Sequence, residues 1–150
     1  MSTARKPPPD RAEFPHFRTI PTRWMDNDVY GHINNVVYYS YFDTLVNRFL
    51  IDEAGLDLTL SPVICIVAET SCRYYASFAY PDDIEAGLAI SRLGKSSVTY
   101  EIGFFASGEA SARAHGSFVH VFVDRITMRP VPVPTSFKTA LESLISPTSL

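Results

Sequence analysis

The sequence predicts an α+β domain in which one long central helix is wrapped by a curved antiparallel sheet of about five strands. Residues 36 to 53 carry apolar side chains at spacings of three and four, which is the period of an amphipathic helix. Residues 63 to 123 contain several segments that alternate apolar and polar side chains between turn signals, as long antiparallel strands do. The chain has 150 residues and is 46% hydrophobic and 19% charged, which suits one globular domain with a sizeable core.

The helix prediction rests on one apolar stripe and on the residues that flank it. The stripe consists of Tyr38, Tyr41, Phe42, Leu45 and Phe49. Asn34 or Asn35 suits the N-cap, because a short side-chain oxygen can accept a hydrogen bond from an unpaired helix amide. Gly55 suits the C-terminal stop, because glycine adopts the left-handed backbone that ends many helices. We therefore expect a helix from Val36 to about Glu53.

Strand patterns occupy most of the remaining chain. Residues 16 to 25 are expected to form a first strand, which Pro21 confines to a sheet edge or a bend because proline cannot donate to a strand ladder. Residues 63 to 68 form an apolar run that is expected to be a buried strand. Further strands are expected after it in a meander, with turns at 81–83, 94–95 and 107–108 and a last long strand at 111–123.

The two ends of the chain differ from this pattern. Residues 1 to 15 carry four prolines and mixed charges, which indicates a flexible N-terminal arm ahead of a single domain at residues 16 to 150. That domain is expected to finish with a short helix, whose apolar face is Phe137, Leu141, Leu144 and Ile145. One helix leaves sheet faces and edges open, so we expect a second copy to cover them in a homodimer or homotetramer.

Composition excludes several classes of function. A formal net charge of −3 is not the electrostatic footprint of a nucleic-acid-binding protein. The apolar runs are too short to span a bilayer, and the first residues lack the apolar region of a signal peptide. Cys65 and Cys72 are seven residues apart, which in a regular strand places them on opposite faces where they cannot bridge. Two unpaired cysteines without an export signal predict a cytoplasmic protein.

The most informative segment is DNDVYGHINN at residues 26 to 35. It delivers two carboxylates, Asp26 and Asp28, to the start of the predicted helix, where backbone N–H groups lack partners and carry partial positive charge. Acyl transfer needs a base or nucleophile beside such an oxyanion site. Asp28 is the candidate for that role, although it could instead cap the turn before the helix. The Asp26 side chain is expected to point the other way and to hold the loop.

The segment RWMDNDVYGHINNVVYYSYFD at residues 23 to 43 resembles the signature of hotdog-fold acyl-CoA thioesterases of the 4-hydroxybenzoyl-CoA thioesterase type. Weaker similarity covers residues 16 to 134, including the turn at 81–85 and the hairpin at 94–101. The resemblance implies a hotdog fold, a dimer or dimer of dimers with active sites at the subunit interface, and hydrolysis of an acyl-CoA substrate without a metal or redox cofactor.

The resemblance also assigns roles to residues. The family's catalytic acid aligns with Asp28, and the helix-start amide that polarises the thioester carbonyl falls near Asn35. Plant acyl-carrier-protein thioesterases have a related Asp-x-Asn-x-His arrangement, from which only Asp28 and His32 carry over because Tyr30 occupies the middle position. Met25 stands where many relatives have glycine.

Two further candidate catalytic residues each have two interpretations. His32 is a general acid or orients its neighbours, and Glu69 is a second carboxylate from the other subunit or a partner of Arg73 at a sheet edge. The expected catalytic set is Asp28, His32, Asn35 and Glu69. The expected substrate-binding set is Gly31, Asn34, Tyr38, Arg73, Lys95, Ser96 and Ser97, of which the last four are candidates for the CoA phosphates. His115 and His120 are expected to be structural.

No metal site is expected. The spacing from Asp26 to Gly31 imitates the start of a calcium loop, but Val37 occupies the position of the bidentate acid.

Taken with the resemblance, the sequence predicts an acyl-CoA thioesterase that releases a carboxylic acid and CoA. A hotdog hydratase or dehydratase is one alternative, although the Asp-Asn-Pro-x-His pattern of such relatives is absent. A non-catalytic acyl-CoA-binding module is the other, although it would not need Asp28.

Overall fold

A computed structural model describes residues 6–146, in which one antiparallel sheet curves around one long helix. The strands are β1 (His16–Pro21), β2 (Val63–Tyr74), β3 (Asp83–Leu93), β4 (Ser97–Phe105) and β5 (Ala114–Asp124). They pair in the order β1-β3-β4-β5-β2, so that β1 and β2 form the two edges. The expected α+β hotdog architecture is confirmed.

The long helix, α1, spans Val37–Ala54 and buries the predicted stripe against the sheet. Gly55 follows it with φ at 74°, which confirms the expected stop. The predicted N-cap is wrong, because the cap position is Val36. Asn34 instead makes a turn just before the helix, in which its side-chain oxygen accepts a hydrogen bond from the Val36 amide at 2.9 Å.

A glycine allows α1 to lie close to the centre of the sheet. Gly116 of β5 faces Phe42, and a Cβ atom at this position would lie only 2.3 Å from the phenylalanine ring. The Phe42 ring also packs against Phe104 and Phe118, with ring centroids 5.3 and 6.5 Å away. The helix axis and its N-terminus are thereby fixed relative to β4 and β5.

Strand β2 differs from its prediction in two ways. Its apolar run is not buried, because β2 lies at the sheet edge and leaves the side chains of Ile66 and Val67 38% and 46% exposed. Its alternation is also interrupted, since the register shifts between Val67 and Glu69. Cys65 and Cys72 consequently both pack against the core that α1 covers, so the prediction of opposite faces is wrong. Burial raises the pKa of Cys65 to about 12 and that of Cys72 to about 11.

Strand β1 ends at Pro21 and lies at the other sheet edge, as this proline predicted, whereas a short 3₁₀ turn occupies Trp24–Asp26 in place of a longer strand. The described part of the predicted arm, residues 6–15, packs on the outer face of the sheet. Phe14 is buried there with Phe105. Residues 1–5 of the arm lie outside the described residues.

The expected terminal helix, α2, spans Thr135–Glu142. Phe137, Leu141 and Leu144 are buried as predicted, whereas Ile145 is 51% exposed. No helix within residues 6–146 is long and apolar enough to cross a membrane.

Candidate active site

The acid-bearing segment folds as a short hairpin at the start of α1. The Asp28 amide donates to the His32 carbonyl at 2.9 Å, and the Asn34 amide donates to the Asp26 carbonyl at 3.0 Å. An isolated bridge joins Asn27 and Ile33 between these two pairs. Asp28 is therefore held at the last rung, and the base of the hairpin leads directly into the helix.

Glycine is required at the tip of this hairpin. Gly31 has φ at 82°, in the left-handed region, and its amide donates to the Asp28 carbonyl at 3.1 Å. The turn leaves His32 exposed, on the rung opposite Asp28. The structure thus brings Asp28, Gly31, His32 and Asn34 together, as expected from their spacing.

The Asp28 carboxylate is half-buried and only partly engaged. One of its oxygens accepts a hydrogen bond from the Tyr30 amide at 2.9 Å. Within residues 6–146 the other oxygen accepts no protein hydrogen bond, so it is free to act on a water molecule or a carbonyl carbon. Asp28 can therefore both cap the turn before the helix and act chemically, because the Tyr30 amide occupies only one of its two oxygens.

The Asn35 amide is the free donor at the helix start. Its neighbours are engaged: the Asn34 amide donates to Asp26, the Val36 amide to the Asn34 side chain, and the Val37 amide to the Asn34 carbonyl at 2.9 Å. Across the described range, 6–146, the Asn35 amide donates no hydrogen bond to a protein acceptor. An N–H group in this position can bind a developing oxyanion.

Tyr74 orients this peptide from the opposite side and was not found from the sequence. Its hydroxyl donates to the Asn35 carbonyl at 2.9 Å, across 39 positions of the chain. Burial raises the pKa of the Tyr74 hydroxyl, which therefore stays a donor at neutral pH. Only the fold could reveal the contact, because a tyrosine on an edge strand carries no local signal of it.

A cavity of about 280 Å³ opens beside the Asn35 peptide. Its lining residues come from the helix start and from the end of β2, namely Ile33, Asn35, Tyr38, Tyr74, Tyr75, Ala76 and Ser77. The Tyr38 and Tyr74 rings meet edge to face, with centroids 4.9 Å apart. The cavity thus offers aromatic surface and hydroxyl groups next to a free amide.

The first acid of the pair, Asp26, is 1% exposed, contacts Tyr41 of α1 and does not line this cavity. Its carboxylate accepts hydrogen bonds from the Arg23 amide at 2.9 Å, from the Arg23 guanidinium at 3.0 Å and from the Tyr41 hydroxyl. Burial by itself raises the pKa of Asp26, but the bonds from Arg23 and Tyr41 lower it by more, so the net shift is downward. Asp26 is therefore the structural member of the pair.

Several predicted residues lie away from this cavity. Glu69 and Arg73 are exposed on edge strand β2, in register with Val119 and His115. The hairpin with Lys95, Ser96 and Ser97 lies at the other end of the sheet: Ser97 pairs with Val121, whereas Tyr74 pairs with Ala114. Ala114 and Val121 are seven positions apart along β5, which is roughly 23 Å at 3.3 Å per residue.

The two strand histidines are buried. His115 pairs with Glu101 on the outer face of the sheet at 2.9 Å. His120 packs against the Phe118 ring, and burial lowers its pKa to about 4, so it is neutral at physiological pH. Among residues 6–146 no group of three or more His, Cys, Asp or Glu side chains is placed to hold a metal ion.

The sequence profile of the thioesterase-like superfamily matches residues 22–141, which include the hairpin, α1 and the whole sheet after β1. The chain belongs to the thioesterase-like superfamily. The expected relationship to hotdog thioesterases and the expected enzyme class, a thioester hydrolase, are thereby confirmed.

Solved structures agree with this assignment. The PA5185 protein from Pseudomonas aeruginosa strain PAO1 is 50% identical over 95% of this thioesterase and 99% of its own chain, with a TM-score of 0.93. The PA2801 protein of Pseudomonas aeruginosa is 28% identical over 85% and 98% of the two chains, with a TM-score of 0.78. The gentisyl-coenzyme A thioesterase BH1999 shares the fold, with 22% identity over 84% and 99% and a TM-score of 0.74. No curated protein sequence matches significantly.

The lowered pKa of Asp26 predicts how the stability of this thioesterase depends on pH. A carboxylate whose folded pKa lies below its unfolded value stabilises the fold above the unfolded pKa, and this contribution is lost as the pH falls through the folded pKa. We expect Asp26→Asn to lower the free energy of unfolding near neutral pH, and the difference from wild type to shrink below about pH 4. Urea unfolding between pH 2.5 and 7 measures it. Asp83→Asn, at an exposed site, controls for the lost charge, and a difference independent of pH would contradict the assignment.

Proposed function

We propose that the chain hydrolyses an acyl-CoA thioester to a carboxylic acid and CoA, with Asp28 as general base or nucleophile and the Asn35 amide as oxyanion donor. The observation that carries this proposal is the free Asn35 amide beside the tyrosine-lined cavity. Superfamily membership supplies the reaction class, thioester hydrolysis. The positions of Asp28 and Asn35 supply the two groups that such a reaction needs.

The chemistry follows from where charge develops. Attack on the thioester carbonyl places negative charge on its oxygen, and a fixed N–H donor stabilises that charge more than it stabilises the ground state. α1 adds the partial positive charge of its N-terminus at the same point. As a general base, the unengaged oxygen of Asp28 removes a proton from water, which attacks the carbonyl carbon. As a nucleophile, the same oxygen attacks the carbonyl carbon itself and displaces CoA to give a mixed anhydride, which water then hydrolyses. CoA leaves as a thiolate, so the demand on a general acid such as His32 is modest.

The two alternative functions make different products. A hydratase or dehydratase would change the acyl chain and leave the thioester intact, and a binding module would release nothing. Free thiol released from an acyl-CoA panel therefore separates the three. The name of the gentisyl-CoA thioesterase BH1999 and the aromatic lining of the cavity make aryl-CoA esters sensible first members of that panel, beside aliphatic ones.

The edge strand β2 supports assembly with a second copy. It exposes Ile66 and Val67 on an open edge, and large apolar side chains around the hairpin are also exposed, namely Trp24, Met25, Val29, Tyr30 and Val36. Antiparallel pairing of two β2 edges about a twofold axis would cover these groups. It would also bring the Lys95 end of one subunit toward the Asp28 end of the other, which fits active sites at the interface and a role for Glu69 across it.

The two free cysteines fit the reducing conditions of the cytoplasm, where we propose that the enzyme works.

The Asp28 role predicts the effect of one substitution. Asp28→Asn keeps the acceptor for the Tyr30 amide but removes the base or nucleophile, so kcat is expected to fall at least about 10²-fold while the fold stays intact. Steady-state thiol release measures kcat, and circular dichroism checks the fold. Asp83→Asn is the matched control and should retain wild-type kcat. Near wild-type hydrolysis by Asp28→Asn would rule out the proposed mechanism.

The open edge of β2 predicts an oligomer of the 16.7 kDa chain. Light scattering at micromolar concentration should give twice this mass or a higher even multiple. Ile66→Lys, on the open edge, should shift the mass toward one chain, because a lysine opposes strand pairing. Ile145→Lys, on an isoleucine exposed near the C-terminus, is the control. A wild-type mass near 17 kDa would count against a shared active site.

The Lys95 hairpin predicts a separation of binding from chemistry. If it contacts the CoA phosphates, Lys95→Ala should raise KM several-fold and leave kcat nearly unchanged, because the contact is equal in the ground and transition states. The rise should shrink with a pantetheine thioester, which lacks the nucleotide. An equal effect on both substrates would show that Lys95 does not contact the nucleotide.

A further inference from the structure

A buried hydrogen bond joins the acid-bearing hairpin to the helix behind it. The hydroxyl of Tyr41, a residue 4% exposed on α1, donates to the carboxylate of Asp26 at the base of the hairpin. Burial and then this bond to Asp26 raise the pKa of Tyr41, so the hydroxyl keeps its proton at neutral pH. The link is therefore a charge-assisted hydrogen bond inside the protein, where such bonds are strong.

The place of Tyr41 in α1 gives this bond its significance. Tyr41 lies one turn after Val37, the first residue of α1. Tyr41 holds the side chain of Asp26, and the backbone carbonyl of Asp26 accepts a hydrogen bond from the Asn34 amide. Asn34 is followed directly by Asn35, whose amide is free. The bond thus ties the base of the hairpin that carries Asp28 to α1, which begins two residues after Asn35.

Other contacts of the hairpin lead elsewhere. The Asn27 side chain accepts a hydrogen bond from the Tyr80 amide at 2.9 Å, and the Ile33 amide donates to the Phe78 carbonyl at 2.8 Å. Both bonds tie the hairpin to the segment before β3 and not to α1. Loss of the Tyr41 hydroxyl would therefore leave the hairpin attached to the segment before β3, while its alignment with α1 would depend on the backbone turn at Asn34 and on the Tyr74 bond to the Asn35 carbonyl.

We propose that Tyr41 is a positioning residue, which through Asp26 sets the distance between the Asp28 carboxylate and the Asn35 amide. This inference rests on the proposed function, in which these two groups act on one carbonyl. Tyr41 itself need not contact substrate, since its hydroxyl is used by a buried carboxylate and neither residue lines the cavity. Its removal should therefore reduce kcat and leave KM nearly unchanged.

The test compares two buried tyrosine hydroxyls. Tyr41→Phe removes the hydroxyl that holds Asp26, whereas Tyr100→Phe removes one that is buried without a hydrogen-bond partner in the described structure. Acyl-CoA hydrolysis is measured well below the unfolding temperature of both variants. We expect kcat to fall about tenfold for Tyr41→Phe, because small misplacements of reacting groups are costly, with KM within twofold of wild type. Tyr100→Phe should keep wild-type kcat and KM. Equal kinetics for the two variants would overturn the proposal.

A double variant separates positioning from a general loss of structure. If Tyr41 acts by placing Asp28, then Tyr41→Phe should lower kcat in the wild type but not further in the Asp28→Asn background. The same fold-loss in both backgrounds would assign the hydroxyl to general structure and overturn the proposal. Near wild-type activity of Asp28→Asn would instead remove the proposed function on which it rests, so the two failures are distinguishable.

Asp26→Asn covers the case in which Tyr41→Phe does not fold. The amide oxygen that it introduces can still accept the Tyr41 hydroxyl, while the buried charge is lost. The proposal predicts that this variant is less stable but keeps kcat within about threefold of wild type, because the link to α1 persists. A larger fall in kcat in folded Asp26→Asn protein would show that the charge, and not the link, is what matters, and would overturn the proposal.

Discussion

The buried carboxylate of Asp26 is the constraint on which the architecture of the site depends. A charge removed from water is costly unless it is paired and hydrogen-bonded, and at 1% exposure Asp26 has to satisfy its oxygens within the protein. Arg23 and Tyr41 do so from two directions. The hairpin that starts at Asp26 is thereby fixed against α1, and the second acid, Asp28, is left half-buried with one oxygen free.

Two identical side chains two residues apart thus differ in burial and in hydrogen bonding because their surroundings differ. Asp26 uses its whole carboxylate for structure, and its lowered pKa keeps it ionised. Asp28 uses one oxygen for the Tyr30 amide, and its other oxygen accepts no hydrogen bond from residues 6–146, which is why we propose it for the chemical step. The Asn35 amide likewise has an unused hydrogen-bonding group, whereas the amides of Asn34 and Val36 on either side of it donate to acceptors. Of these two residues, Asn35 lines the cavity, so that its amide has an unused donor beside open space.

Elements that follow from local period and turn chemistry are predicted correctly by the sequence. The spacing of the Tyr38 to Phe49 stripe gave α1, Gly55 gave its end, and Pro21 placed β1 at an edge. The glycine in residues 26 to 35 also marks the turn of the hairpin, whereas the predicted asparagine N-cap is replaced by Val36.

The predictions that failed needed information that the local pattern does not contain. The register shift between Val67 and Glu69 places Cys65 and Cys72 on the same face of β2. The apolar run from Val63 to Ala68 has the same sequence pattern in a central strand as in an edge strand, so it does not predict the edge position of β2. The contacts of Tyr74 with Asn35 and of Tyr41 with Asp26 join residues far apart in the chain. Such contacts depend on how β2 and α1 pack, and no local sequence motif predicts them.

The central claim is that the thioester carbonyl binds at the Asn35 amide within reach of Asp28. A crystal structure of the Asp28→Asn variant with an intact acyl-CoA would test it most directly, through the distance from the Asn35 nitrogen to the thioester carbonyl oxygen. We expect this distance to be about 2.7–3.1 Å, with the substituted side chain facing the carbonyl carbon. A carbonyl oxygen bound at another donor, with the Asn35 amide left empty, would contradict it.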